Sequence, residues 1–379
     1  MHSLFKNCAS FCGNSRFLLI AFLLNMWYDK RQCKQNDRLP SPLPSAWAVG
    51  GKTDGVIDMI FLGREITAPT VLAPMAGVTD YAYRSICAEL GVGVTVTEMV
   101  SSRALVYQDK KSKSLLRKNP GCLCGAQIFG NDPEMMARAA VLAVEYSGCD
   151  HIDINMGCPM PKIANNGDGS ALMKDIPLAG RIVKAVCDAV SVPVTVKTRL
   201  GWDKGSIHVV DMAKELEANG AKAIAVHGRT KTMLYSGIAD WDEIGKVTKA
   251  VSIPVIANGD ITDASSALRC RDHSGASLFM VGRAAFGDPW IFAQINAALA
   301  GLPLPERPPL EERLCVAEKQ FLYSLEDKGE HIACLEARKH LAWYLRGVAH
   351  SNFYKDKISH IASPEEVYRL IKDMKRDLR

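Results

Sequence analysis

The residues with the types and spacing for chemistry fall at the ends of apolar runs. In HIDINMGCP (151–159) a run with the look of a buried strand stops at Asn155 and turns through Gly157, Cys158 and Pro159. A small apolar thiol belongs inside such a run, so one just past its end is placed to present its sulfur. A proton donor, a nucleophile and a small packed thiol all fit that position. A metal ligand does not, because no second ligand is spaced nearby, and the C-x-C pair Cys122 and Cys124 has no matching second pair. No metal site is expected.

Other runs end on PMAG (74–77), EM (98–99), Gln127, KTR (197–199), HGR (227–229), NGD (258–260) and GR (282–283). Glycine lets backbone N–H groups approach phosphate oxygens, and arginine adds a bidentate cation. Asn258, Gly259, Asp260, Gly282 and Arg283 therefore read as an anion cradle. Pro74, Met75 and Ala76, ahead of Gly77, leave room for a flat ring over backbone. Gln127 has a donor and an acceptor for a ring edge, and Lys197 a positive charge for an edge that gains electrons. His227 has the reach for phosphate or substrate.

Holding these ends together requires strands that stop at one level. From residue 69, eight β-branched runs (69–76, 94–99, 123–130, 151–157, 193–201, 223–230, 254–260 and 277–284) alternate with amphipathic helical patterns, several closed by Gly. Continuous apolar strands between helices argue for a parallel sheet covered on both faces, and eight units argue for a barrel. A doubly wound sheet would carry G-x-G-x-x-G after its first strand, and none occurs there. The expected fold class is α/β: a (β/α)8 TIM barrel over 59–300, a Pro-rich linker over 301–312 and a small all-helical domain over 313–379. Barrels place chemistry at C-terminal strand ends and phosphate after strands seven and eight, where NGD and GR fall. A phosphorylated planar cofactor across such a mouth suggests FMN.

A chain of 379 residues, 48% hydrophobic and 23% charged, has the composition of a soluble enzyme. Its net charge of +5 is compatible with a polyanionic partner without demanding one. Twelve cysteines scattered through apolar stretches read as reduced thiols, so a cytoplasmic location is expected. Residues 1–58 fit the remainder poorly. FLLIAFLLNMW (17–27) is too short for an ordinary membrane span, and no small-x-small cleavage site follows it closely. A disordered extension or a misassigned start codon is expected there, with no membrane partner.

Seven motifs in order resemble the tRNA-dihydrouridine synthases, most of all their bacterial B-type branch: APMAGVTD (73–80), DINMGCP (153–159), GSALMKD (169–175), VKTRLGWD (196–203), VHGRT (226–230), IPVIANGDI (253–261) and VGRAAFGDPWIF (281–292). The resemblance runs from about residue 59 to 379 and leaves the leader outside. It implies an FMN-dependent barrel with a C-terminal helical domain that reduces uridines of the tRNA D-loop with NADPH (or NADH), an oxidoreductase acting on a CH–CH group. It implies FMN contacts at Pro74, Met75, Ala76, Gln127, Lys197, His227, Asn258, Gly259, Asp260, Gly282 and Arg283. It also assigns Cys158 as the acid that protonates uracil C5 after hydride passes from flavin N5 to C6. A thiol, protonated at neutral pH, suits that task. Asn155 is expected to orient the base through its Watson–Crick edge.

The tail carries three amphipathic patterns, at 315–329, 334–348 and 363–379, the last opened by Ser363-Pro364-Glu365-Glu366. Arg338, Lys339 and Arg346 lie close in sequence to Trp343 and Tyr344, a mixture that suits RNA backbone with exposed bases. Lys162, Arg199 and Arg229, next to the mouth motifs, are further candidates for tRNA phosphates. A monomer is expected. The competing readings are a small-molecule FMN barrel of the dihydroorotate-dehydrogenase kind and a tRNA-binding or folding factor without catalysis. The first leaves the basic tail without a purpose, and the second leaves the mouth residues without one.

Overall fold

The computed structural model describes residues 59–378, so the extension expected at 1–58 lies outside the described residues. An antiparallel hairpin, β1 (Met59–Phe61) and β2 (Arg64–Ile66), opens the described chain. Strands β3 (Thr70–Leu72), β4 (Val94–Val96), β5 (Val100–Ser101) and β6 (Leu123–Phe129) follow. Then come β7 (His151–Met156), β8 (Val194–Arg199), β9 (Ala223–His227), β10 (Val255–Asn258) and β11 (Leu278–Val281). All pairs from β3 onward are parallel, β4 joins β3 to β6, and β11 returns to β3. Eight strands thus close a barrel, with helices between them. Short β5 pairs with the far end of β6.

Each of the eight expected runs forms a barrel strand that starts within one residue of the expectation. The runs overshoot at their C-terminal ends: the first stops at Leu72 rather than Ala76, and the sixth at His227 rather than Thr230. Pairing ends where the polar residues begin. PMAG and most of HGR therefore lie in loops that rise above the sheet.

Strand alternation decides what the barrel holds. Val71, Val94, Ala223, Ala225, Ile256, Leu278 and Met280 form one buried cluster with Phe61 and Ile66 of the hairpin. Their neighbours Leu72, Ile224, Val226, Ala257, Phe279 and Val281 belong to the larger cluster under the helices. The first set fills the barrel, and β1–β2 supplies part of that filling. On β6, β7 and β8 the apolar residues Ala126, Ile128, Ile152, Ile154, Val194 and Val196 all join the helix side. By the same alternation Gln127, Asp153, Asn155, Thr195, Lys197 and Arg199 line the inside. One wall of the barrel interior is apolar and the opposite wall is polar.

The tail differs in detail from its sequence pattern. The helix Leu310–Tyr344 starts inside the stretch expected as linker, and Gly329 (φ 75, ψ 170) breaks it near the expected gap. A further helix, Asn352–Ser359, was not foreseen, because it buries only Tyr354 and Ile358 and so shows little periodicity. Pro364–Asp377 follows, with the Ser363 side chain accepting from Glu366 N. Trp343 and Tyr344 are packing residues, not platforms for bases. Trp343 stacks on Phe286 with centroids 4.6 Å apart, and buried Tyr344 lies edge-on to Trp290 at 6.0 Å.

Ion pairs Lys328–Asp80 (2.5 Å), Arg117–Asp327 (2.8 Å) and Lys319–Glu89 (2.6 Å) pin the long helix to the barrel. The closest approach is at Gly287 (φ 68), where an added Cβ would stand 2.3 Å from the Trp343 carbonyl carbon. Gly301 (φ 69) shares the backbone conformation but has open space around it. Gly287→Ala should therefore lower unfolding free energy by about 2–4 kcal/mol, backbone strain plus overpacking. Gly301→Ala should lose only the strain, about 1–2 kcal/mol. Denaturant unfolding of the two variants side by side measures the difference.

Candidate active site

A buried hydrogen-bond chain runs from the barrel interior to the thiol. Asp153 Oδ1 accepts from Thr195 Oγ1 (2.6 Å), and its Oδ2 accepts from Gln127 Nε2 (2.6 Å). Gln127 Oε1 accepts from Asn155 Nδ2 (2.9 Å). Asn155 Oδ1 in turn accepts from the backbone N–H of Gly157 (3.1 Å) and of Cys158 (2.9 Å). Four side chains on three adjacent strands thus fix the turn that carries the sulfur. Gly157 lets the turn sit close to β8: a Cβ there would lie 3.1 Å from the carbonyl carbon of Thr198, a tight contact. Cys158 remains half-buried at the mouth.

The surrounding charge is lopsided. Lys197, Arg199, Arg229 and Arg283 converge on His227, whose pKa is driven far down by burial first and by those four cations next. His227 is neutral at physiological pH. Burial, with Arg199 beside it, lowers Lys197 to about 8 against the pull of Asp153 and Cys158. Cys158 is raised above the ordinary thiol range by burial, against the opposing pull of the Met160 backbone, Arg199 and Lys197. At neutral pH the sulfur therefore holds its proton.

The expected site residues meet at one mouth, though several have other duties there. Asn155 is oriented inward, with its amide engaged by Gln127 and by the 157–158 backbone, so it positions the thiol. Gln127 likewise gives one N–H and its oxygen to protein partners. Arg199 and Arg229 are not solvent-facing cations for RNA phosphates. Arg199 donates to Gly157 O (2.9 Å), Thr230 O (3.1 Å) and Leu234 O (2.9 Å), which ties the loops after β7 and β9 to the end of β8. Arg229, 2% exposed, clamps both oxygens of Asp260 (2.8 and 2.7 Å) and reaches Ser236 O and Gly237 O. Arg338 is spent on the Ile361 carbonyl (3.0 and 2.7 Å) within the tail. Lys162 and Arg346 are exposed, and Lys339 Nζ would stand 3.7 Å from a Cβ placed on Gly77 at the mouth.

In the cradle, Asn258 Nδ2 donates to Met280 O (2.8 Å), and Gly259 adopts φ 114. Arg283 is 52% exposed and lies over the Tyr235 ring at 4.7 Å. Sequence reading passed over three contributors. Tyr235 stands 54% exposed beside Arg283 and His227, Glu98 accepts from the Gly77 N–H, and Asp153 anchors the hydrogen-bond chain. The alternation of β7 around DINMGCP was the available signal for Asp153.

Solved structures of similar fold include histamine dehydrogenase from Rhizobium sp. 4-9, with TM-score 0.52, 14% identity, 71% of this chain covered and 51% of that one. Another is 6-hydroxypseudooxynicotine amine oxidase from Pseudomonas geniculata N1, with TM-score 0.51, 16% identity and coverage of 65% and 50%. The chain spans about half the length of these two structures, and the likeness concerns the fold. The dihydrouridine synthase family model matches residues 71–378.

The chain belongs to the dihydrouridine synthase family.

Among curated members, tRNA-dihydrouridine synthase B of Vibrio vulnificus is 44% identical over 73% of this chain and 86% of its own. Its Pseudomonas putida counterpart is 45% identical over 73% and 82%. A probable tRNA-dihydrouridine synthase of Rickettsia conorii is 40% identical over 81% and 93%. The family match takes in the barrel strands, every mouth residue named above and the tail helices.

Two outcomes follow from the geometry. Alkylation of Cys158, taken as wild type minus Cys158→Ser, should be slow at pH 7 and accelerate only above the ordinary thiol pKa, because burial raises it. Arg229→Met should destabilise the fold by about 3 kcal/mol, since it removes the bidentate clamp and leaves Asp260 with the Ala239 N–H (2.8 Å) and the more distant Arg283 (3.6 Å). A fall in the thermal midpoint measures that loss.

Proposed function

We propose that this chain is a tRNA-dihydrouridine synthase, a flavin-dependent oxidoreductase that reduces the C5=C6 bond of uridine in tRNA. The observation that carries the reading is Cys158: a thiol held protonated at a cation-rich barrel mouth, in a chain of this family. The finer reading takes FMN as the flavin, NADPH as the reductant and the D-loop as the target, in a monomeric cytoplasmic enzyme.

The residues suit a flavin phosphate and ring. Four cations against Asp153 and Asp260 leave the mouth with an excess of positive charge that an anionic cofactor would offset. Arg283 is exposed enough to take a phosphate, beside Asn258, Gly259, Asp260 and Gly282. Gly282 keeps open the space toward Met75, whose Sδ would lie 3.6 Å from a Cβ there, and Pro74 and Ala76 continue that wall. Lys197, with Gln127 nearby, offers positive charge to the ring edge. When bound, the flavin supplies the hydride that uracil C6 receives.

The chain's own residues do the rest. Lys197 and Arg199 stabilise the negative charge that develops on the pyrimidine, and Cys158 delivers its proton to C5. Asn155 acts on the substrate through the turn it holds. Neutral His227 adds polarity without adding a further charge. A uridine must leave its stack to reach the sulfur, at a cost of a few kcal/mol that is smallest in a loop. Exposed Lys162 and Arg346, with Lys339 beside Gly77, are the cations offered to the displaced strand's phosphates.

Cys158→Ala tests the reading. Dihydrouridine in tRNA should fall at least 100-fold, while tRNA affinity and the yellow flavin spectrum persist. Wild-type rates in that variant would remove the acid assignment, and turnover of free uracil or orotate without tRNA would favour a small-molecule barrel. Arg283→Ala should release the flavin while the thermal midpoint of the flavin-free protein stays put, because that guanidinium is half exposed. Absorbance at the flavin band after gel filtration reads this directly.

A further inference from the structure

We infer that the barrel rim carries a second RNA contact, a phosphate subsite built on Trp202 outside the uridine-reducing mouth; it rests on the RNA-substrate reading above. Trp202 follows β8, and two ammonium groups sit on its ring. Lys174 Nζ lies 3.3 Å from the ring centroid and Lys231 Nζ 4.3 Å from it. Lys174 ends the 3₁₀ helix Gly169–Lys174 after β7, and Lys231 lies in the loop after β9. Three consecutive mouth loops therefore bring two cations and an indole together. Backbone bonds fix the meeting: Lys231 N donates to Gly201 O (2.9 Å) and Thr232 N to Trp202 O (3.0 Å).

Neither lysine has an ion-pair partner among the described residues. The nearest acids in sequence are engaged elsewhere: Asp175 Oδ1 accepts from Leu178 N (2.9 Å), and Asp203 Oδ1 accepts from Gly205 N (3.0 Å) and Ser206 Oγ (2.8 Å). Two like charges on one indole repel each other, and the π face offsets only part of that. An anion placed between them would relieve it. Beside them lies a groove of about 370 Å³ lined by Met173, Lys174, Ile176, Trp202, Ser206 and His208. Met173 and Ile176 offer an apolar wall to a base or ribose face, and Ser206 and His208 offer hydrogen bonds to hydroxyls.

A nucleotide of the substrate strand fits that chemistry, and the groove connects to the mouth. Ser170 N donates to Cys158 O (3.1 Å), so the 3₁₀ helix starts at the thiol turn. Lys174 is four residues further on, about 8 Å at the rise of a 3₁₀ helix. A strand with its uridine at Cys158 would pass a neighbouring phosphate over the lysine pair.

The test uses the full, flavin-loaded chain and an unmodified tRNA transcript, with affinity measured from 50 to 200 mM salt. Lys174→Gln with Lys231→Gln should weaken binding about tenfold and lower the salt slope by about 1 to 2, the signature of lost phosphate contacts. Lys174→Arg with Lys231→Arg should restore most of both. Flavin reduction by NADPH, which needs no RNA, should keep its rate and KM, and the melting curve should stay in place. Unchanged affinity and slope in the glutamine variant, with wild type binding tRNA normally, would overturn the subsite alone. A raised KM for NADPH with RNA binding intact would assign the lysines to the reductant and overturn it too. Wild-type protein that binds no tRNA would overturn the RNA reading and the subsite together.

Discussion

The Asp153 carboxylate, buried in the barrel interior and held by Thr195 and Gln127, is the interaction on which the site depends. Burial raises its pKa, and the two hydrogen bonds with Lys197 oppose that rise. A buried acid of this kind is tolerated only when its oxygens are satisfied, so Gln127 must present its amide nitrogen to it. That choice leaves the Gln127 oxygen for Asn155, whose own oxygen then caps the 157–158 turn. The orientation of each amide follows from the one before. Cys158 stands past its strand because the chain beneath it decides where the turn can end.

The same economy governs charge. Asp260 binds Arg229 tightly under the cradle and reaches Arg283 only at 3.6 Å, so the half-exposed Arg283 is the cation most open to a ligand. Arg199 spends its guanidinium on carbonyls from two loops and contributes only its field. Burial first, and the neighbouring cations after it, displace His227 and Lys197 from their usual values. Under the proposed function, that excess of positive charge favours a bound anion and an anionic intermediate on the pyrimidine, while Cys158 keeps its proton at neutral pH.

Much of this was legible in the residues. Eight β-branched runs gave the barrel because continuous apolar strands between helices have few other solutions, and the polar strand ends marked the mouth. The duties of individual polar residues were harder to read. Arg229 and Arg199 look like surface cations in HGRT and KTRLG, because sequence does not reveal that a carboxylate 31 residues later, or carbonyls of a neighbouring loop, will claim them. Trp343 and Tyr344 look like base-stacking groups until Phe286 and Trp290 are seen against them. The helix Asn352–Ser359 lacked a signal, since two buried residues make no period. Local pattern reports which face is apolar; it is silent on which long-range partner satisfies a polar group.

The contact at Gly287 bears on how such a protein can be rebuilt. Arg283 of the cradle and Gly287 of the tail contact are four residues apart, in the short 3₁₀ helix Arg283–Ala285 and the turn that follows it. The tail is thus no detachable cassette. A chimaera that exchanged the terminal helices at the Pro-rich segment would meet the resident Phe286, Gly287 and Trp290 with a foreign surface, and the mismatch would pull on the same loop that carries Arg283. A workable junction would have to lie upstream of β10, so that Asn258–Asp260, Arg283 and the helical tail are inherited together.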